Sequence, residues 1–377
     1  MDGKRICFFM HWFSGGGAEK MTIVLVNALC RRGYPIRFYV RHDMGLMRQT
    51  LDPGIEVVDM RLPAEGKLYK NIKNIEILRK VLTDPENGIL FCITAEMSQV
   101  AALASASLFG RKTVPLVSVV HNTLSMETHS FQLIRQVLFP AFNRRYDKVV
   151  AISREVALDY EKVCRAPDGQ IKIIGNPIIS EDIFRRSRQE SGHPWLAEGR
   201  GWKTLVLAGR LSYQKNHELM FQALKILRSK EDFRLLILGV GEREEELKKL
   251  CGRLELENAV SFEGYQTNPY PYFRESDAVI LCSRYEGLPT VLVEAMACGS
   301  RIVSVDCPSG PKELLENGRY GFLTPMGSPE KLADGILESM KWNPDKDALK
   351  AKAMDFTVEA SADGYESLLK DMMKEER

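Results

Sequence analysis

Apolar, strand-like runs recur along this 377-residue chain, with stretches of helical pattern between them. In the first half they are "RICFFM", "IRFYV", "IEVVDM", "ILFCIT", "PLVSVV", "KVVAIS" and "IKIIG"; in the second, "TLVLAG", "RLLILG", "VSFEG", "AVILC", "RIVSV" and "GFLTP". Strands that alternate with helices lie in a parallel sheet covered on both faces. The chain is too long for one typical core. Two such series therefore predict an α/β protein of two doubly wound, Rossmann-like domains facing across a cleft. The stretch "GNPIISEDIFRRSRQESGHPWLAEGRG" (175–201) is rich in Pro, Gly and charge and has no apolar period, so it marks the seam. The expected domains are 1–180 and 181–359. The closing "ADGYESLLKDMMKEER" reads as a charged amphipathic helix with no strand after it, expected over about 360–377 and packed back on the first domain. A cleft between two domains is the default ligand site.

Hydrophobic residues at 45% and charged residues at 27% are the values of a soluble globular enzyme. The net charge of +2 is unevenly spread: residues 1–180 hold 24 Lys and Arg against 17 Asp and Glu, and the remainder 28 against 33. A basic first half (+7) and an acidic second half (−5) suggest that the first half meets something anionic. The eight cysteines have no metal-ligand spacing, which fits reduced thiols in a cytoplasmic protein. No leading segment has the layout of a signal peptide. No uncharged apolar run approaches the roughly 20 residues needed to span a bilayer. "MSQVAALASASLFG" (97–110) is short and Ser/Ala-rich and reads as a buried helix.

Three places carry ligand chemistry. In "HWFSGGGAEK" (11–20) contiguous glycines, among them Gly16 and Gly17, precede a helix expected from near Ala18. Glycines let a backbone come close to a ligand, and a helix N-terminus offers free N–H groups, so this is an anion cradle. It is not the dinucleotide pattern G-x-G-x-x-G. In "LAGRLSYQKNHELM" (207–220) Arg210 and Lys215 flank the entry to a helix after a strand, where a guanidinium and an ammonium can clamp a phosphate. "LGVGEREEELKKL" (238–250) has a lone Gly-x-Gly, and the acids after it would repel a phosphate, so it reads as a tight turn beside the ligand. The third place is "YEGLPTVLVEAMACG" (285–299). It follows the buried strand "DAVILC" and sets Glu286 in a loop and Glu294 on the second turn of a helix, with the break at Gly287, Leu288 and Pro289 between them. Pro289 suits the first helical position and Gly299 the C-terminal cap. Ligands of parallel sheets bind outside the carboxyl ends of the strands, which both carboxylates can reach. The competing reading makes Glu286 a solvated loop residue and Glu294 a paired or exposed helix residue.

With "GNP" (175–177), "SFEGY" and "VDCPSGPKELLENGRYGFL" added to these motifs, nearly the whole chain resembles the retaining glycosyltransferases of the GT-B fold, family 4. Glu286 and Glu294 match that family's E-x7-E signature. The resemblance implies that Glu286 holds the donor sugar's hydroxyls and Glu294 the ribose of the nucleotide. It further implies that Arg210 and Lys215 contact the donor diphosphate, with Gly16 and Gly17 approaching the same phosphates. The backbone over Gly287, Leu288 and Pro289, through the amides of Leu288 and its neighbours that carry an N–H, would meet sugar and phosphate, and His121, in "PLVSVVHN", would face the donor sugar. "CPSGPKEL" (307–314) departs from the Gly-Gly-x-x-Glu turn of many relatives and looks like enzymes that build bacterial surface polysaccharides; no role transfers to Glu313.

The implied reaction is transfer of a hexose or N-acetylhexosamine from a nucleotide diphosphate sugar, with UDP expected, to a hydroxyl of a glycan or lipid-linked acceptor, with retention. Glu286 would position the sugar rather than attack it. No Asp-x-Asp motif ends a strand, so neither a metal nor a cofactor is expected, and no nucleic acid. The first domain would hold the acceptor. "KLYKNIKNIEILRKVL" (67–82) and "FQLIRQVLFPAFNRRYDK" (131–148) mix apolar and basic residues at helical spacing, which fits core-facing helices with solvated basic faces, while the +7 balance of this half points to peripheral contact with the anionic inner face of the cell membrane or with a lipid-linked acceptor. Rival readings are an oxidoreductase or a GT-B-fold epimerase, and a non-catalytic sugar-nucleotide-binding partner subunit. Release of free nucleotide diphosphate separates enzyme from binder.

Overall fold

A computed structural model describes residues 3–13, 16–45, 47–62, 67–127 and 132–375. The chain forms two compact units, Met1–Pro177 with Val358–Arg377, and Ile178–Thr357.

The first unit holds a seven-stranded sheet: β1 (Arg5–Met10), β2 (Ile36–Val40), β3 (Glu56–Asp59), β4 (Asn87–Ile93), β5 (Leu116–Val120), β6 (Lys148–Ala151) and β7 (Ile171–Ile173). The second holds six strands: β8 (Lys203–Ala208), β9 (Phe233–Leu238), β10 (Val260–Gly264), β11 (Ala278–Leu281), β12 (Ile302–Val305) and β13 (Phe322–Thr324). Every strand overlaps one of the apolar runs, with β4 beginning two residues before its run and β8 and β9 one residue before theirs. The orders are β3-β2-β1-β4-β5-β6-β7 and β10-β9-β8-β11-β12-β13, with all pairs parallel. Both sheets thus share one winding: the chain builds outward from a first strand, then returns to build on its other side. Each has a switch point, between β1 and β4 in the first unit and between β8 and β11 in the second. Loops at the carboxyl ends diverge there and leave a crevice for a ligand.

Central strands are apolar throughout because helices cover both faces; β4 and β5 are buried at every residue. The helix Val358–Glu375 completes the first unit's core with Val358, Ala362, Tyr365, Leu368, Leu369 and Met372. Tyr365 packs on Phe91 of β4 with ring centroids 5.5 Å apart, and Arg32 pairs with Asp363 at 2.7 Å. The stretch expected as seam carries a short helix, Glu181–Ser187, belonging to the second unit. The stretch 97–110 contributes to a helix, Ala95–Ala106, that buries Met97, Val100, Ala101 and Ala102.

Candidate functional site

The second unit's switch point is built by two loops. After β8, Gly209 leads to Arg210, a 3-10 turn Tyr213–Lys215, and Asn216 in a left-handed conformation (φ 53°), before the helix His217–Arg228. A Cβ on Gly209 would come within 3.1 Å of Lys215 Cε, so the missing side chain lets the lysine lie across the backbone. The lysine thereby reaches the loop after β11. Its Nζ donates to Glu286 Oε1 at 2.6 Å, and Ser283 Oγ donates to the same oxygen. Glu286 is only 6% exposed, so it is not the solvated loop residue of the competing reading. Removing a carboxylate from water is costly unless charge and hydrogen bonds replace the water, and here both do. Lys215, whose partner is invisible in the sequence, is the countercharge.

Two side chains missed by sequence reasoning strap the loops together. Gln214 Nε2 donates to the Tyr285 carbonyl at 2.9 Å, and the Arg284 amide donates to the Gln214 carbonyl at 2.8 Å. Arg284 also donates to the Tyr213 carbonyl at 3.1 Å and lies 4.2 Å from that tyrosine's ring centroid. Arg210 is exposed, and among the described residues no side chain or carbonyl takes its guanidinium. A paired, nearly buried cation and an open one stand at the end of the same strand.

The break behaves differently from expectation. Pro289 is the residue before the helix Thr290–Ala297, not its first position: its ψ of 88° is not helical, and its carbonyl accepts the Leu292 N–H at 2.9 Å. Gly299 sits one past the terminal cap Cys298, at φ 69°. Leu288 is buried and the Glu286 amide is held by the Pro308 carbonyl at 3.1 Å. Gly310 (φ 101°) explains why "CPSGP" sits here: a Cβ on it would fall 2.4 Å from Pro289 Cδ. Glu294 is half-buried on the helix, with Tyr270 Oη 3.5 Å from its Oε1. Burial, then this carboxylate, pushes the Tyr270 hydroxyl far above its usual range. The Gly-x-Gly after β9 is a packing device, since a Cβ on Gly239 would strike the Gly209 carbonyl oxygen at 2.0 Å.

The remaining candidates are in the first unit. Gly16 caps the helix Gly17–Arg31, which starts one residue before the expected Ala18, and Ser14 and Gly15 lie outside the described residues. A Cβ on Gly17 would meet nothing within 4 Å among the described residues, so packing does not explain that glycine. His121 follows β5, two strands from β1 in the sheet, so these candidates come from different loops. Burial holds its imidazole neutral, pushing the pKa down to about 4, and Nε2 has no partner among the described residues. Among the described residues no three His, Cys, Asp or Glu side chains are grouped to hold a metal ion.

His217, beneath the β8 loop, is fully buried with neither ring nitrogen partnered among the described residues. Burial lowers its pKa to about 4. The unfolded chain takes up this proton below about 6.5 and the folded one below about 4, so stability falls as pH drops through that window. The loss from this group reaches about 2 kcal/mol by pH 5. We expect His217→Leu to flatten the fall in melting temperature between pH 7 and pH 5; an unchanged slope would show that the imidazole is not the acid-sensitive group.

Residues 15–182 match the Glycosyltransferase Family 4 model, and residues 196–356 match Glycosyl transferases group 1. The chain belongs to the GT-B glycosyltransferases, its two units corresponding to these two family domains. It is 24% identical over 359 residues to the N-acetylgalactosamine-N,N'-diacetylbacillosaminyl-diphospho-undecaprenol 4-alpha-N-acetylgalactosaminyltransferase of Campylobacter jejuni, covering 93% of this chain and 94% of that protein. It is 25% identical over 310 residues to the amylovoran biosynthesis glycosyltransferase AmsD of Erwinia amylovora, covering 81% and 82%. The structure of Anabaena HepE in complex with UDP-glucose matches with a TM-score of 0.76 and 25% identity over 97% of this chain and 99% of that one.

Proposed function

We propose that this glycosyltransferase moves a hexose or N-acetylhexosamine from a UDP-linked donor, with retention, to a hydroxyl of a glycan or lipid-linked acceptor in cell-surface polysaccharide biosynthesis. The observation that carries the reading is the buried Glu286 held by Lys215 at the switch point of the second unit, beside the open guanidinium of Arg210. The UDP-glucose complex of HepE, the diphospho-undecaprenol substrate of the Campylobacter relative and the amylovoran role of the Erwinia relative support it.

The difficult event is departure of a diphosphate while positive charge develops on the sugar. Preorganised donors aimed at the leaving oxygens lower that barrier most effectively. An ammonium has three donors, so Lys215 keeps Glu286 with one and offers the others to phosphate. Arg210 supplies a bidentate fork. Glu286 is fixed through Oε1, which leaves Oε2 to accept from a sugar hydroxyl. Glu294 receives the ribose hydroxyls, and the backbone at Gly287–Pro289 meets sugar and phosphate. Gly16, Gly17 and His121 supply the first unit's share of donor recognition. The leaving phosphate takes the acceptor's proton on the same face of the sugar. A panel of nucleotide sugars tested by thermal shift, followed by assay of released UDP, tests the donor class; stabilisation by no UDP-sugar would overturn it.

These cations act in place of a divalent ion. Activity is therefore expected to survive EDTA, whereas complete loss, restored by magnesium or manganese, would defeat this mechanism. The first unit takes the acceptor and meets the anionic inner face of the cell membrane. Among the described residues no helix is long and apolar enough to cross a bilayer. Phe109 is 92% exposed beside Arg111 and Lys112, and Val137 and Leu138 are exposed on the helix Gln132–Asn143, ahead of Arg144 and Arg145. Apolar side chains with flanking cations suit that surface. Co-sedimentation with phosphatidylglycerol vesicles should fall several-fold in Phe109→Ser; equal binding by variant and parent would remove this loop from the contact.

A further inference from the structure

The first unit carries a polar cluster at its own switch point that no step above uses. Arg41 follows β2, and its amide donates to the His11 carbonyl, beyond β1, at 3.0 Å. Its side chain is 4% exposed. Burying a guanidinium is costly unless its donors are met. Here Nη1 donates to Glu96 Oε1 at 2.6 Å and lies 3.4 Å from His11 Nδ1. The fully buried Asn74 sets its side-chain amide 2.9 Å from Nε and 3.1 Å from Nη2, and it meets both donors when its amide is oriented with the oxygen toward them. The guanidinium is thus committed inside the protein and is not offered to a ligand.

Arg41 instead fixes what faces outward. Glu96, in the first turn of the helix after β4, keeps its side chain 65% exposed although one oxygen is locked by Arg41. Thr94, two residues earlier, adopts φ 89° and ψ 153°. A β-branched residue rarely takes such a φ, and backbone strain of this kind gathers at binding sites. On the other side, the His11 ring stacks on Trp12 with centroids 4.5 Å apart at 27°. Trp12 is 39% exposed. A part-exposed indole stacked on the histidine beside Arg41, and an exposed carboxylate bonded to Arg41, thus stand at the ends of three adjacent strands, β2, β1 and β4.

We propose that Trp12 and Glu96 form the subsite for the acceptor's terminal sugar, and that this sugar is a neutral pyranose. The inference rests on the glycosyl-transfer reading and names the acceptor class for it. The apolar C–H face of a pyranose matches an exposed aromatic ring. Its hydroxyls donate, and an ionised carboxylate only accepts. A uronic acid or a phosphate in the same place would meet Glu96 as a like charge, with Arg41 already committed elsewhere.

Saturation-transfer NMR on the full chain, with UDP present, tests this using methyl glycosides of galactose, glucose and N-acetylgalactosamine, and methyl glucuronide. At least one neutral glycoside should receive saturation from the parent protein and the glucuronide should not. The signal should fall at least fivefold in Trp12→Ala and weaken in Glu96→Gln, with UDP affinity by calorimetry unchanged in both. Equal signals in parent and variants, no signal from any neutral glycoside, or glucuronide binding as strong as the neutral sugars would overturn the proposal. Failure of the parent to bind UDP would instead count against the glycosyl-transfer reading, leaving the glycoside comparison to decide the subsite.

Discussion

Lys215→Ala should lower turnover a hundredfold or more and should also weaken the fold. Under the proposed mechanism the turnover loss follows from removing a preorganised donor aimed at the leaving diphosphate, which typically costs on the order of 3 kcal/mol of transition-state stabilisation. The second effect follows from the structure. Lys215 Nζ lies 2.6 Å from a Glu286 carboxylate that is 6% exposed and otherwise held by the Ser283 hydroxyl. Removing one partner of a buried pair strands the other, at roughly 3–5 kcal/mol. The two losses can be separated. Lys215→Ala combined with Glu286→Gln removes the stranded charge, so it should recover much of the stability measured by denaturant unfolding and none of the turnover. A Lys215→Ala protein within threefold of parental turnover would take this lysine out of the chemistry.

Glu286→Ala and Glu294→Ala should fail in different ways. Glu286 lies before the helix break, fixed through one oxygen, and under the proposed mechanism meets the sugar whose geometry changes during reaction. Glu294 lies on the second turn of the helix Thr290–Ala297, beside the Tyr270 hydroxyl, and would meet a part of the donor that does not react. Contacts that strengthen in the transition state appear in turnover, and uniform contacts appear in binding. Loss of Glu286 should therefore cut turnover about a hundredfold while UDP binding stays nearly intact. Loss of Glu294 should weaken UDP and UDP-sugar alike by about tenfold or more, as expected for a charge-assisted hydrogen bond of roughly 1.5–3 kcal/mol. Calorimetry with UDP on both variants decides the matter, and equal losses of affinity would dissolve the division of labour between the two carboxylates.

The doubly wound sheets were legible because a strand buried on both faces must be apolar along its length, as "ICFF" in β1 and "AVIL" in β11 are. The loops carrying Arg210, Lys215 and Glu286 were legible because they follow such strands. The pairing of Lys215 with Glu286 was not, since they lie 71 positions apart and only the adjacency of β8 and β11 brings their loops together. The straps from Gln214 and Arg284 escaped for the same reason. The buried Arg41 cluster escaped because its members are single residues spread from His11 to Glu96, with no motif spacing. The position of Pro289 was missed by one residue because propensity places proline near a helix start without fixing ψ.

Sugar transfer with retention from a UDP-linked donor would leave its mark on the anomer that forms first. NMR of the full chain incubated with its best-stabilising UDP-α-sugar, with water as the acceptor, reads that anomer. UDP should be released and the sugar should first appear as the α-anomer, before mutarotation equilibrates it, and Lys215→Ala should suppress both signals. First appearance of the β-anomer would contradict retention, and tight UDP binding with no release from any donor would contradict catalysis.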